Sequence, residues 1–400
     1  RTRGPAAILL AAASLMLIGF LGCTGSDAPD SESLTTEERI ARNNAQKLLS
    51  RAQTALDENR YEQALRLIEK AEDADSLYAW VPYIRGQVYR ALNQSGRARD
   101  AYERALELDD AHPEVRLRLG DLASSNRRYE EALAWYEEQW QLLKEQLERN
   151  DWSYDQLPRG SRIATLIRSV PVRRARTLAE LGRREEATDL LQESVRRDSS
   201  HAAAHYYLAQ IYQEEGQVSE ALEYARRAAE LRNDPRYRYL LGSLLVQEGE
   251  AKAAIPHLRS VTREIPYHVG AHYNLGQALV RTGRKEEGRR YITRSDSLRT
   301  LEQKIAQARV TARSQEDNPA RWLELAHLLR QSDRYQEAVA AYRTVVTIDS
   351  TIAEAWFHLG VTFGEAGREQ PARRALERTL EIDPDHARAR TLLQQLNTSS

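Results

Sequence analysis

The sequence predicts an all-α fold, an α-solenoid of about nine antiparallel helix pairs. The first observation is a spacing of 34 residues between small side chains, as from Ala64 to Ala98 to Ala132. The second is apolar residues at helical intervals, without the sustained alternation that strands need. The third is a turn signal inside each period, such as Gly216 or Gly249. A fixed period in this range is typical of a stacked repeat array.

The charge balance and cysteine content exclude several classes of protein. The 400 residues carry 58 Lys and Arg against 59 Asp and Glu, which gives a formal net charge of -1. A protein that binds nucleic acid needs a basic face to neutralise phosphates, so this balance argues against such a partner. A single cysteine, Cys23, excludes an internal disulfide and a cysteine-based zinc site.

The N-terminal segment, 1–22, has the pattern of a bacterial export signal. Two arginines precede the apolar run 6–21, which is short for a membrane span but suits a signal peptide. The run ends directly before Cys23 in a sequence that resembles a lipobox, although Phe20 stands where that motif usually has an aliphatic residue. The resemblance implies a lipoprotein signal peptide, cleavage before Cys23, and acylation that anchors the chain in a membrane. A simple membrane anchor, or a cleaved signal with an incidental cysteine, is the alternative.

A short tether and the first helix follow in order. Residues 23–36 are small, polar and acidic, and predict a flexible tether after the lipidated cysteine. Thr35 and Glu38 have the spacing of a capping box, so the first helix should begin here. Units 1–3 are predicted over 37–139, each with a first helix, a turn and a second helix.

The first interruption of the rhythm predicts an insertion. Ala132 and Ala187 lie 55 residues apart, which is 34 plus 21. The additional residues fall at 140–167 and include two tryptophans, a proline and a glycine. This segment is predicted to be a lengthened helix followed by a loop.

The second interruption predicts a lengthened helix later in the chain. Gly288 and Ala338 lie 50 residues apart, which is 34 plus 16. Apolar residues at helical spacing after position 296 predict that a second helix continues beyond its unit. The predicted organisation is therefore units 4–7 with an extended last helix over 168–302, a linker at 303–318, units 8–9 over 319–384, and a capping helix with a tail over 385–400.

The last two units carry the residues that identify a repeat family. Trp322 and Trp356 lie 34 residues apart, and each is followed three residues on by a leucine. With the small residue at the helix crossing and the proline at the end of a unit, this pattern resembles the tetratricopeptide repeat. The resemblance implies a right-handed superhelix whose first helices line a concave face that binds other proteins. The residues assigned to packing are Gly86, Ala98, Gly120, Ala132, Ala187, Ala221, Gly242, Ala254, Gly276, Trp322, Ala338, Trp356, Gly360 and Ala372.

A row of aromatic and polar residues on the first helices is the candidate binding site. In three successive units a tyrosine is followed, one turn later on the same face, by Gln or Ser. Tyrosine supplies contact area at low entropic cost, and amides can bond a peptide backbone. These residues are predicted to bind a peptide or a partner's helix, and the alternative is that the tyrosines pack between neighbouring helices. The predicted binding residues are Tyr83, Gln87, Tyr206, Gln210, Arg236, Tyr239, Ser243, Tyr273, Asn274 and Gln277.

Catalytic and metal-binding patterns do not stand out. The pairs His201/His205 and His268/His272 have helical spacing, but no further metal-ligand pattern accompanies them. His205 and His272 fall in the position of the family tryptophans, which predicts a packing role. Without a GxSxG motif or a glycine-rich phosphate loop, the chain is predicted not to be an enzyme and to need no cofactor or metal.

These observations predict a membrane-anchored scaffold or adaptor in a bacterial cell-envelope complex. It would be held by lipid at the outer membrane, facing the periplasm, because Thr24 rather than Asp follows the cysteine. The alternative is a glycan-binding or regulatory subunit of a polysaccharide or peptidoglycan enzyme complex, since aromatic and amide groups also suit sugars. A structural spacer is a third reading. The sequence leaves open the partner and pathway, the membrane, the oligomeric state, and the role of 140–167.

Overall fold

The computed structural model describes residues 34–58, 60–92, 94–158 and 160–398. Within these ranges the chain forms nineteen α-helices and one short 3-10 helix, and no strand. The helices follow one another as nine pairs and a final single helix, which confirms the predicted all-α fold built of helix pairs. None of these described helices combines the length and apolarity that crossing a bilayer requires. The predicted signal peptide, Cys23 and the tether as far as residue 33 lie outside the described residues.

The chain divides into two compact units between Ile211 and Tyr212, a position inside α9. The helices up to α9 are α1 Thr36–Asp57, α2 Tyr61–Ala74, α3 Trp80–Ala91, α4 Ser95–Leu108, α5 Val115–Ser125, α6 Tyr129–Arg149, α7 Arg162–Glu180, α8 Arg184–Arg197 and α9 Ala202–Glu214. The later helices are α10 Val218–Leu231, α11 Pro235–Gln247, α12 Ala251–Glu264, α13 Val269–Arg281, α14 Lys285–Ser314, α15 Pro319–Gln331, α16 Tyr335–Ile348, α17 Ala353–Glu365, α18 Glu369–Ile382 and α19 Ala387–Thr398.

The start of α1 is fixed by the capping box that the sequence predicts. The Glu38 backbone N–H donates to the Thr35 hydroxyl at 3.2 Å. In return, the Glu38 carboxylate accepts from the Thr35 N–H at 2.7 Å. Two N–H groups that would lack helical partners are thereby satisfied, so the helix begins directly after Thr35.

Small residues lie where the two helices of a pair cross. A Cβ atom added at Gly86 would lie 2.5 Å from the Tyr102 ring, and one added at Gly276 would lie 2.6 Å from Ile292. Glycine at these crossings therefore sets the distance between the helices. The alanines and glycines assigned to packing are buried throughout the described chain, namely Gly86, Ala98, Gly120, Ala132, Ala187, Ala221, Gly242, Ala254, Gly276, Ala338, Gly360 and Ala372.

The turn inside a pair uses a residue in the left-handed region. Gly249 and Gly283 both have φ of 86°, which glycine adopts without steric cost. Arg127 and Asp333 stand in the same place in their pairs, with φ of 59° and 62°. These two turns therefore have the conformation of the glycine turns without a glycine.

The first insertion is built as a long helix and a packed loop. Helix α6 runs on to Arg149, and a 3-10 turn at Tyr154–Gln156 follows. Trp140 and Trp152 pack against the buried residues between α6 and α7. Helix α7 begins at Arg162, earlier than the predicted unit start at 168, because Ser161 caps it by accepting from the Ala164 N–H at 3.2 Å.

The second insertion is a continuation of α14. This helix is unbroken to Ser314, so most of the segment predicted as a linker, 303–318, is helical. The reason is that apolar residues continue at helical spacing, and Ile305 and Ala312 are buried against α15 and α16. The single helix α14 thus belongs to one pair at its start and packs on the next pair at its end.

Candidate interaction surface on the first helices

The first predicted binding residue, Tyr83, lies inside the protein. Its side chain is only 2% exposed, and its hydroxyl donates to a Glu114 carboxylate oxygen at 2.5 Å. Its ring centroid lies 4.8 Å from that of His112, which directly precedes the next helix pair. Tyr83 therefore packs between neighbouring pairs and offers no surface to a partner, contrary to the predicted binding role.

Two further aromatics in the same position make the same kind of contact. The ring of Tyr239 lies 4.3 Å from that of His268, and the ring of Phe357, 1% exposed, lies 4.6 Å from that of His386. Burial raises the pKa of Tyr239, as expected for a hydroxyl partly withdrawn from water. At these positions the structure favours the alternative reading, in which the aromatics pack between helices.

Each of these histidines also begins the next first helix. His268 Nδ1 accepts from the Ala271 N–H at 3.1 Å, and His386 Nδ1 accepts from the Ala389 N–H at 3.2 Å. The histidine therefore caps one helix while its ring covers the aromatic of the preceding pair. The aromatic and the histidine are 29 residues apart in all three cases, at Tyr83/His112, Tyr239/His268 and Phe357/His386. This spacing is the signal by which the sequence could have revealed the joint.

Tyr273 is different, because its side chain is 38% exposed. It lies on α13 with Asn274 and Gln277, whose side chains are half-buried. An exposed phenol ring beside two amides has the chemistry expected of a peptide-binding surface. Among the predicted tyrosines, Tyr273 is the one that the structure leaves most open to solvent.

The remaining predicted residues have mixed surroundings. Gln87, Tyr206 and Gln210 are half-buried, and the Tyr206 ring lies 5.1 Å from its neighbour Tyr207. Ser243 is half-buried too, and its hydroxyl donates to the Leu240 carbonyl of its own helix at 2.8 Å. The exposed Arg236 bonds the carboxylate of Asp234, with a closest approach of 2.7 Å. Arg236 thus supports the N-terminus of α11, where Asp234 is the capping residue.

The family tryptophans are anchored by a hydrogen bond that histidine reproduces. Trp322 Nε1 donates to the Glu316 carbonyl at 2.9 Å, and Trp356 Nε1 donates to the Ser350 carbonyl at 3.0 Å. In each case the carbonyl lies six residues earlier in the chain. His205 and His272 have Nε2 at 3.0 and 2.8 Å from the carbonyls of Ser199 and Pro266, also six residues earlier. The packing role predicted for His205 and His272 accords with these contacts.

A charged cluster, overlooked in the predicted site, lies on the first helices of the unit that ends at Ile211. Asp121 on α5 accepts from Arg173 on α7 at 2.8 Å and from the Tyr136 hydroxyl at 2.9 Å. Arg118 lies 3.6 Å from the same carboxylate. Adjacent helix pairs are therefore tied together by ion pairs as well as by apolar packing. Within the described ranges no group of three or more His, Cys, Asp or Glu side chains is arranged to hold a metal ion.

Several solved structures are similar to this chain. PilW, a type IV pilus biogenesis factor, is 17% identical, with 62% of this chain and 100% of that chain covered and a TM-score of 0.46. Acl4, an assembly chaperone of RpL4, is 23% identical, with 61% and 98% covered and a TM-score of 0.44. A tetratricopeptide repeat protein from Parabacteroides merdae ATCC 43184 is 13% identical, with 80% and 98% covered and a TM-score of 0.37. The curated protein sequences contain no match.

Family models match three parts of the chain directly. Residues 178–244 and 329–396 match a model described as tetratricopeptide repeat, and residues 83–139 match a second model of that description. Residues 214–295 match a model described as anaphase-promoting complex, cyclosome, subunit 3. The matches fall on the helix pairs described above, in both compact units.

Proposed function

Residues 83–139, 178–244 and 329–396 are tetratricopeptide repeats, and from this premise we propose that the protein is a non-catalytic interaction scaffold. Proteins built from this repeat serve as scaffolds for protein–protein interaction. The first helices of the pairs bind an extended peptide or a helix of a partner protein. Stability comes from contacts between neighbouring pairs, which leaves surface side chains free to set the partner.

The exposure of Tyr273 is the observation that carries this proposal. Large aromatic side chains are enriched in protein interfaces, where their apolar body is buried and their polar tip is hydrogen-bonded. Asn274 and Gln277 supply donors and acceptors on the same helix, α13. The three side chains together suit a backbone that must be both covered and hydrogen-bonded.

Photo-crosslinking in the native cells tests the interaction directly. A photoreactive amino acid is placed at Tyr273, and in a matched control at Arg290, which is exposed on α14, the second helix of the same pair. We expect one discrete protein adduct from position 273 that is missing from position 290. Equal labelling at both positions, or diffuse labelling only, would contradict a binding role for the first helices. Adducts with glycan instead of protein would favour the carbohydrate-binding alternative.

We further propose that the protein is lipid-anchored at Cys23 in a bacterial envelope and faces the periplasm. The lipobox-like sequence before Cys23 supports this, together with its place as the single cysteine of the chain. Metabolic labelling with an alkyne-tagged fatty acid should mark the wild-type protein and leave a Cys23→Ala variant unmarked. A labelled Cys23→Ala variant, or an unlabelled wild type, would rule out this anchor.

A further inference from the structure

One polar row runs along the first helices of the unit that ends at Ile211. Gln87, Asp121, Arg176 and Gln210 belong to four successive helix pairs, and each directly follows the small residue of its helix crossing. Those small residues are buried in every case, and the four polar side chains are half-buried. The four side chains therefore occupy equivalent positions in their pairs.

Within this row the carboxylate of Asp121 is already neutralised. It accepts from Arg173 Nε at 2.8 Å and from the Tyr136 hydroxyl at 2.9 Å, and Arg118 lies 3.6 Å away. A carboxylate with two cations and a hydroxyl around it has little to gain from another cation. Asp121 is thus part of the framework that holds α5, α6 and α7 together.

Arg176 is in the opposite situation. Its guanidinium donates to the Ser124 hydroxyl at 3.2 Å and is hydrogen-bonded with the Tyr207 hydroxyl. Among the described residues it forms no ion pair, in contrast to Arg173 beside it. A half-buried guanidinium carries five donors and gains most from a carboxylate, which can accept two of them in parallel.

The surrounding cluster has positive charge in excess. Four arginines, at 118, 162, 173 and 176, share the two carboxylates of Glu114 and Asp121. Four positive charges against two negative ones leave two positive charges uncompensated. An approaching anion is therefore attracted to this part of the surface.

We propose that Arg176 binds the side-chain carboxylate of an aspartate or glutamate in the interior of a partner peptide. This inference rests on the proposed scaffold function and names the chemistry of its partner. Gln87 and Gln210 flank Arg176 in the row, so a chain that crosses Arg176 meets amide groups on both sides. Such a chain continues past Arg176 in both directions, which favours an internal acidic residue over a terminal carboxylate.

Selection from a random-sequence peptide library displayed with both ends blocked tests this inference. The full chain should enrich peptides that share an acidic residue at one fixed position. Synthetic copies of these peptides should bind the Arg176→Gln variant about tenfold more weakly in a fluorescence-anisotropy titration, since a charge-assisted contact is lost. Arg183→Gln is the matched control, because Arg183 is exposed and its bonds to Glu186 lie on α8 and its preceding turn.

The outcomes separate this inference from the scaffold function. Enriched peptides without a shared acidic residue, or undiminished binding to Arg176→Gln, would overturn the assignment to Arg176 and leave the scaffold standing. Binding that is lost when the peptide's C-terminus is amidated would also overturn it, in favour of a terminal carboxylate. No enrichment at all would count against both proposals. Should Arg176→Gln not fold, Tyr207→Phe removes only the hydroxyl beside Arg176 and should weaken binding by a few fold.

Discussion

Single small residues determine how closely the paired helices approach. At Gly86 and Gly120 an added Cβ atom would lie 2.5 Å from the rings of Tyr102 and Tyr136, respectively. Both rings are fully buried, so neither can move aside into solvent. The 34-residue spacing of small residues in the sequence records this steric requirement.

Replacing Gly86 by alanine should destabilise the protein by about 1–3 kcal/mol, because the methyl group overpacks the helix crossing. The matched control is Gly364→Ala on α17, where an added Cβ meets no atom within 4 Å. That substitution should instead stabilise the protein by about 0.5–1 kcal/mol, since alanine is the better helix former. Urea unfolding of both variants checks the pair of signs, and equal stability of the two would be at odds with the crossing described here.

The candidate site was predictable only in part at this scale. Repetition along the sequence correctly singled out Tyr83, Tyr239 and Tyr273 as equivalent positions. It did not separate them by exposure, because exposure depends on a residue from the next pair. His112 covers Tyr83 and His268 covers Tyr239, whereas the corresponding position for Tyr273 falls at Glu302, on the long helix α14.

Among the elements, the turns inside the helix pairs show the same conformation with different residues. Gly182 and Gly216 have φ of 78° and 77°, and Arg127 adopts φ of 59° in the corresponding turn of the pair α5/α6. A side chain with a Cβ atom is strained in this region by about 1–2 kcal/mol. The turn between α5 and α6 therefore retains a cost that the glycine turns avoid.

Arg127→Gly should stabilise the protein by roughly 0.5–1 kcal/mol, since the relief of strain exceeds the added freedom of the unfolded chain. Asp333→Gly is the comparison, and should gain less. Aspartate tolerates the left-handed region, and the Asp333 carboxylate accepts from the Tyr335 hydroxyl at 2.8 Å. Differential scanning calorimetry measures both changes; a larger gain at 333 than at 127 would refute this account of the turns.

Element boundaries were predictable where a local signal sets them. The capping box at Thr35 marked the start of α1 because its hydrogen bonds lie within four residues. The start of α7 was missed because the N-cap, Ser161, precedes the interrupted repeat and has no counterpart in its spacing. The course of 303–318 was missed because the buried side of α14 is set by contacts with α15 and α16, which the repeat does not specify.

Across the whole molecule, buried histidines link stability to pH. Desolvation lowers the pKa of His112 to about 3, and it is the first cause of a lowered pKa of about 4 at His358. The same cause lowers the pKa of His201, His257, His268, His272 and His327. In the unfolded chain these groups titrate near 6.5, so the unfolded state binds more protons below that pH.

The stability of the protein should therefore be full above about pH 6.5 and fall as the pH drops below it. Each histidine that stays neutral in the folded state costs about 1.4 kcal/mol per pH unit in this range. Lowered carboxylate pKa values, as at Asp234, contribute only at more acidic pH. Thermal unfolding between about pH 7.5 and 5.5 follows the histidines, and an unchanged midpoint over this range would exclude the linkage.

A histidine variant identifies one source of this slope. In His268→Asn the amide oxygen can still cap α13, but the side chain no longer titrates. Its unfolding should depend less steeply on pH than that of the wild type, even though the contact with Tyr239 is weakened. An unaltered slope would mean that His268 does not contribute.

The unbroken helix α14 has a mechanical consequence. Ordinary pairs in such an array can detach one after another, because each is joined to the next by a separate short connection. Here the rigid rod that closes the pair α13/α14 also supports α15 and α16. A force pulling from the C-terminus should therefore release these four helices in a single rupture, where a regular array would yield in steps of one pair.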